Sequence, residues 1–267
     1  MSSRGKILLV GDSILYNYYW LDNKEQDLRK ELIDLGFLVF NYSSEDSTVK
    51  AITSGITPKD IYRNSRSYSY PIDKEGKMFP IKLIEEQKKP FISVYGGIKP
   101  LSFGNNDQGN MIVLSIGGNS FQVGATRILL GIDYFFNAVV NEEFIIDYEN
   151  LVKNLKKLSS KVVLISIYLP FLGPGSSYGV FSKFAEPIII RWRNFLQNIA
   201  KKYNIPILDL SLTFNSNKRE HYGSSDIEPS NISNACMAKC LSHIYDNYNG
   251  YHTYYAPDCD IRKITVV

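Results

Sequence analysis

Histidine is scarce in this chain, three in 267 residues, and cysteine is equally so. Three thiols cannot all pair with one another, and no CxxC or Cys/His spacing suits a metal, so neither a disulfide framework nor a zinc site is expected. Cys236 and Cys240 stand four apart on a predicted helix and Cys259 lies in the tail, where they read as buried or idle thiols. No apolar run approaches the roughly 18 residues of a membrane span. The formal charge of +3 is too small to argue for nucleic acid or an anionic membrane surface as partner. Residues Met1 to Lys6 run straight into a strand without the apolar region of a secretory signal. The expectation is a cytoplasmic protein, or one exported by a route that uses no such signal. Nothing implies a metal or an organic cofactor.

What is present is an ordinary globular balance, 44% hydrophobic and 21% charged, at a length that suits one large domain. Nineteen tyrosines and fourteen phenylalanines lie largely in clusters, which points to a lid or a tail more than to a larger core. Short apolar runs alternate with amphipathic stretches, the pattern of a parallel α/β sheet covered on both faces. The predicted strands are Lys6–Val10, Phe37–Asn41, Met111–Ile116, Val162–Tyr168 and Pro206–Leu210.

A helix is predicted over Asn23–Leu35, closed by Gly36, and another after a cap at Asp147 with Leu151, Leu155 and Leu158 inward. Ile188, Trp192, Phe195, Ile199 and Tyr203 mark a third. Pro229 opens the last, whose inward stripe is Ile232, Cys236, Cys240 and Ile244. Residues 52–109, rich in Tyr, Ser, Pro and Lys, break the alternation. They read as an insertion with a β-hairpin, Phe79–Glu85 against Pro90–Tyr95, and the tail 250–267 is a candidate edge strand beside it.

The first strand ends in Gly11-Asp12-Ser13. A serine on the turn after a strand shows its hydroxyl at the carboxyl edge of the sheet, where open α/β sheets bind ligands. The surroundings are not GxSxG, so this is not the nucleophile elbow of the α/β-hydrolases. The third strand ends in Gly117-Gly118-Asn119-Ser120, which offers a side-chain amide to a developing oxyanion. One such donor is typically worth about 3–4 kcal/mol.

GDS and GGN at two strand ends, in this order, resemble the SGNH (GDSL-like) hydrolase family. The resemblance implies a three-layer α/β/α, flavodoxin-like fold with a parallel sheet of about five strands. It makes residues 1–267 a single domain carrying the 52–109 insertion, and covers the core without that insertion or the tail. It also implies hydrolysis of a small ester, often an acylated lipid or carbohydrate, through a serine acyl-enzyme. The family's second block supplies a main-chain N–H from a glycine. Here Asp46 or Ser47 stands in that place, so the implied oxyanion hole is Ser13, Ser47, Gly118 and Asn119. The last block, D-x-x-H-P in the family, reads Asp226-Ile227-Glu228-Pro229-Ser230. Its histidine is missing, and in this the chain is similar to a subgroup with an LSxGGN third block and a DIEPS last block.

Three readings of the missing imidazole follow. In the first, Glu228 is the base for Ser13. Glutamate is about two pKa units less basic than imidazole, a handicap of roughly 3 kcal/mol. The residue before a proline favours an extended backbone, so Asp226 and Glu228 are expected to face one way, Asp226 tuning or orienting Glu228. In the second, a displaced imidazole serves, His221 before the more remote His252, while His243 is a plain helix residue. In the third, catalysis is lost and the cleft survives in a binding protein. The loop Pro170–Gly179 and the Tyr-rich insertion are further candidates for the walls of the cleft.

Overall fold

The computed structural model describes residues 4–17, 20–23, 26–41, 43, 49, 110–119, 121, 131–176, 178–179 and 182–264. The 52–109 insertion and its hairpin, together with Asp46 and Ser47, lie outside the described residues.

Seven strands form one sheet: β1 (Lys6–Gly11), β2 (Leu38–Asn41), β3 (Asn110–Ser115), β4 (Lys161–Ile165), β5 (Ile207–Leu208), β6 (Thr253–Tyr255) and β7 (Arg262–Ile264). Their order is β2-β1-β3-β4-β5-β6-β7, all parallel except β7. The first five follow the flavodoxin-like order, in which the chain reverses its direction of winding between β1 and β3. The register there pairs Lys6 with Asn110 and Gly11 with Ser115, so β1 and β3 end level with each other.

The helices are α1 (Leu28–Asp34), α2 (Ile132–Val139), α3 (Glu142–Leu158), α4 (Ser182–Tyr203), α5 (Leu210–Thr213) and α6 (Asn231–Asp246). Right-handed crossovers winding both ways from the reversal send α1 to one face and α3 and α4 to the other. On the first face α1 packs against α6. On the second, Phe144 and Tyr148 of α3 meet Trp192 and Phe195 of α4 edge-on or tilted at 5.3–6.0 Å. The inner strands are covered on both sides: Ile7, Leu9 and all of Met111–Leu114 are buried. Each such aliphatic side chain contributes roughly 1.5–3 kcal/mol by leaving water.

The sheet has two more strands than the five expected, and both come from the tail. The Arg262–Ile264 stretch does add an edge strand, but its partner is β6, with Thr253 opposite Ile264. Several boundaries move because side chains cap earlier or later than expected. Asp27 rather than Asn23 opens α1, accepting from the Lys30 N–H at 2.7 Å. Asn141 opens α3 ahead of Asp147, accepting from the Phe144 N–H at 2.9 Å. Pro229 sits just before Ser230, the true cap of α6. β5 stops early because Asp209 turns out of the strand to cap α5. In α6 the expected stripe is too narrow: Asn234, Met237, Ala238 and Leu241 are buried as well, while Ile232 is 56% exposed.

Candidate active site

At the carboxyl end of β1 the chain passes against β3 with no room for a side chain. A Cβ on Gly11 would lie 1.7 Å from the Ser115 carbonyl oxygen, and the Gly11 φ of +148° suits glycine alone. The next N–H, that of Asp12, donates to the same Ser115 carbonyl at 2.9 Å. Ser13 then opens a tight turn, its carbonyl accepting from the Tyr16 N–H at 3.0 Å. Ser13 is partly exposed, and its hydroxyl makes no hydrogen bond among the described residues.

β3 ends in the matching way. Gly117 has φ +130°, and a Cβ there would come within 2.4 Å of the Trp192 ring. The close approach seats Gly118 and Asn119 at the start of a helical turn beside the Ser13 turn. Asn119 is buried.

Asp12 lies beneath this pair. It is buried, with one carboxylate oxygen accepting from the Ile14 N–H at 3.3 Å and the Ser115 hydroxyl at 3.2 Å. Burial pushes its carboxyl up to about 7, against the restraint of those hydrogen bonds. In Gly11-Asp12-Ser13 the middle letter is a charge placed between an apolar strand and a turn, a signal of burial that a reading for the serine leaves unused.

The last block of the sequence lies in the loop before α6. Tyr222 and Pro229 form an isolated antiparallel bridge, and the Gly223 N–H donates to the Glu228 carbonyl at 2.8 Å. Gly223 is pressed against the Ser13 loop, where a Cβ would meet the Trp20 carbonyl oxygen at 2.3 Å. Glu228 is buried at 7% exposure. The Tyr168 phenol beyond β4 is held well above its ordinary range, by burial first and then by the charges of Glu228, Tyr222 and Asp12. The Tyr168 hydroxyl donates to the Ile227 carbonyl at 2.5 Å, so it faces the last block. No hydrogen bond joins Glu228 to Ser13.

Ser225 Oγ accepts from the N–H groups of Ile227 and Glu228 at 3.2 and 2.9 Å, so the segment bends. The Asp226 carboxylate pairs with Arg219 at 2.6 Å, and the charges of Asp226 and Glu228 both raise the pKa of the Tyr178 phenol, after burial.

His221 is buried with Nδ1 accepting from the Asn215 N–H at 2.8 Å, and it lines a cavity of about 200 Å³ with Phe214, Cys236 and Cys259. Burial and Lys218 lower its pKa. His252 precedes the first residue of β6, which places it at the amino edge of the sheet, opposite Ser13. His243 is inside α6. The Pro170–Gly179 loop does border the last block: the Phe171 N–H donates to the Asp226 carbonyl at 2.7 Å.

No protein-family model and no curated protein matches this sequence. Solved structures do match in fold. The lipase Lip_vut3 from a goat rumen metagenome superposes with a TM-score of 0.52 at 13% identity, over 89% of this chain and 96% of that one. The M. smegmatis aryl esterase gives 0.52 at 12%, over 91% and 99%. A protein described as an SGNH hydrolase from Slackia heliotrinireducens gives 0.51 at 11%, over 90% and 97%. Strand order, the placement of the GDS and GGN turns and these superpositions agree: the chain has the fold of the SGNH hydrolases.

Proposed function

We propose that this chain hydrolyses a small ester, of an acylated lipid or carbohydrate, through an acyl-enzyme on Ser13. One observation carries the reading. Strands β1 and β3 end level and adjacent where the sheet reverses its winding, Ser13 and the buried Asn119 follow those two ends, and the Pro229 carbonyl, next to Glu228, accepts from Asn17 four residues after Ser13. That is the arrangement acyl transfer requires: a nucleophile, donors for the oxyanion and a base. The neighbours named as a lipase and an aryl esterase support it by analogy of fold.

Ser13 Oγ attacks the ester carbonyl carbon as its proton passes to Glu228. The carbonyl oxygen becomes an oxyanion held by the N–H groups of Ser13 and Gly118 and the Asn119 amide, with the main chain near Ser47 as the further donor the resemblance assigns. The alcohol leaves with the proton from Glu228. Water, deprotonated by the same carboxylate, then releases the acid and restores Ser13. Asp226 acts at a distance, fixing the bend of the last block through Arg219.

The experiment pairs a fluorophosphonate probe with p-nitrophenyl acetate and butyrate. Wild type is expected to label at Ser13 and turn over both esters. Ser13→Ala is expected to abolish labelling and turnover, and Glu228→Gln to lower kcat at least 100-fold, within the usual range for a general base. Wild-type protein that neither labels nor turns over ester removes the hydrolase reading in favour of a binding protein. Turnover kept in Glu228→Gln but lost in His221→Ala moves the base to the imidazole.

A further inference from the structure

The turn that carries Ser13 and the loop that carries Glu228 are joined by a closed set of buried amides. Asn17, four residues after Ser13, is 1% exposed, and Asn234, in the first turn of α6, is fully buried. Asn17 Nδ2 donates to the Pro229 carbonyl at 2.8 Å and to Asn234 Oδ1 at 3.0 Å. Asn234 Nδ2 returns a bond to Asn17 Oδ1 at 3.2 Å and donates to the Gln26 carbonyl at 3.3 Å. All four amide hydrogens and both amide oxygens are thus used, so the pair has a single orientation.

Pairing two apolar side chains here would fill the same space with no desolvation cost. It would leave the Pro229 carbonyl without its donor and the height of the last block without a directional restraint. That carbonyl is the only main-chain hydrogen-bonding group proline has, and it belongs to the residue next to Glu228. Nearby, the Ser224 N–H and hydroxyl donate to the Trp20 carbonyl at 2.7 and 3.0 Å, closing the other end of the same seam.

We propose that Asn17 and Asn234 are positioning residues, a reciprocal amide clamp that sets Glu228 against Ser13. The inference rests on the hydrolytic reading above and assigns no contact with substrate to either side chain. Misplacement of a reacting group by about 1 Å can cost 100-fold in rate, so loosening the clamp acts on proton transfer rather than on substrate affinity.

The test compares wild type, Asn17→Ala, Asn234→Ala and the double variant, with Ile244→Val as a destabilised α6 control remote from the cleft. Each is measured for fluorophosphonate labelling rate, kcat, KM and Tm, well below the transition. The clamp predicts a fall of about 10- to 100-fold in labelling rate and kcat with KM within twofold. It also predicts a double variant no worse than the poorer single one, and a control that keeps wild-type rates. Where Asn17→Ala does not fold, Asn17→Ser, which keeps one donor in the space, is expected to show a smaller loss of the same kind. Folded variants with a lowered Tm but wild-type labelling and kcat overturn the proposal. An unreactive wild type instead overturns the hydrolytic reading, so the two failures are distinct.

Discussion

Asp12 is the residue whose chemistry departs most from the ordinary. Its carboxyl, at 3.8 in an unstructured chain, titrates near 7 here because burial disfavours the charge. The folded protein therefore holds a proton between about pH 4 and 7 that the unfolded chain has given up. Stability from this group is complete below about pH 4 and is lost as pH rises through 7, by on the order of 4 kcal/mol in total. Asp12→Asn, isosteric and uncharged, is expected to flatten that slope. Denaturant midpoints should show the variant above wild type at pH 8 and close to it at pH 4. A parallel pair of pH profiles would mean that Asp12 stays ionised. At this scale the sequence was only partly readable. Ser13, Asn119 and Glu228 stand in motifs, but Asn17 is one polar letter in an apolar and aromatic stretch, Asn234 is one of several Ser and Asn residues at the start of α6, and their partnership exists only across 217 positions of chain.

Among the elements, the ends of β1 and β3 are the most constrained, because each carries a glycine that lets another group approach. Gly117→Ala adds a methyl against Trp192 and imposes a left-handed φ on a side chain. It is expected to cost roughly 2–4 kcal/mol, measured by chemical denaturation. Gly175→Ala, with φ +83° and open space around it, bears only the backbone part, about 1 kcal/mol. The inner strands and the helices on them were legible because burial on both faces demands unbroken apolar runs. Their limits were not, since Asp27, Asn141, Asp209 and Ser230 decide where helices begin, and several polar letters competed for each cap. The bend of the 224–228 segment rests on two N–H bonds to Ser225 Oγ and an ion pair with an arginine seven residues upstream, contacts that no single letter announces.

For the molecule as a whole, the tail completes the core rather than decorating it. Thr253, Tyr254 and Ala256 are buried, and the Ile207 and Asp209 N–H groups donate to the His252 and Tyr254 carbonyls at 2.9 and 2.8 Å. Ending the chain after Tyr251 is expected to lower Tm by 10 °C or more or to prevent soluble expression. Ending it after Asp260 removes β7, exposed at all three residues, and should shift Tm by only a few degrees. Neither β6 nor β7 reaches four residues, so neither has enough alternation to be recognised from the letters alone. The Trp192 ring, fully buried, lies directly under Gly117, close enough that a Cβ there would meet it at 2.4 Å. The emission of that indole is therefore a spectroscopic report on the turn at the end of β3, and a shift of the turn on titration with ester can be followed in unlabelled material.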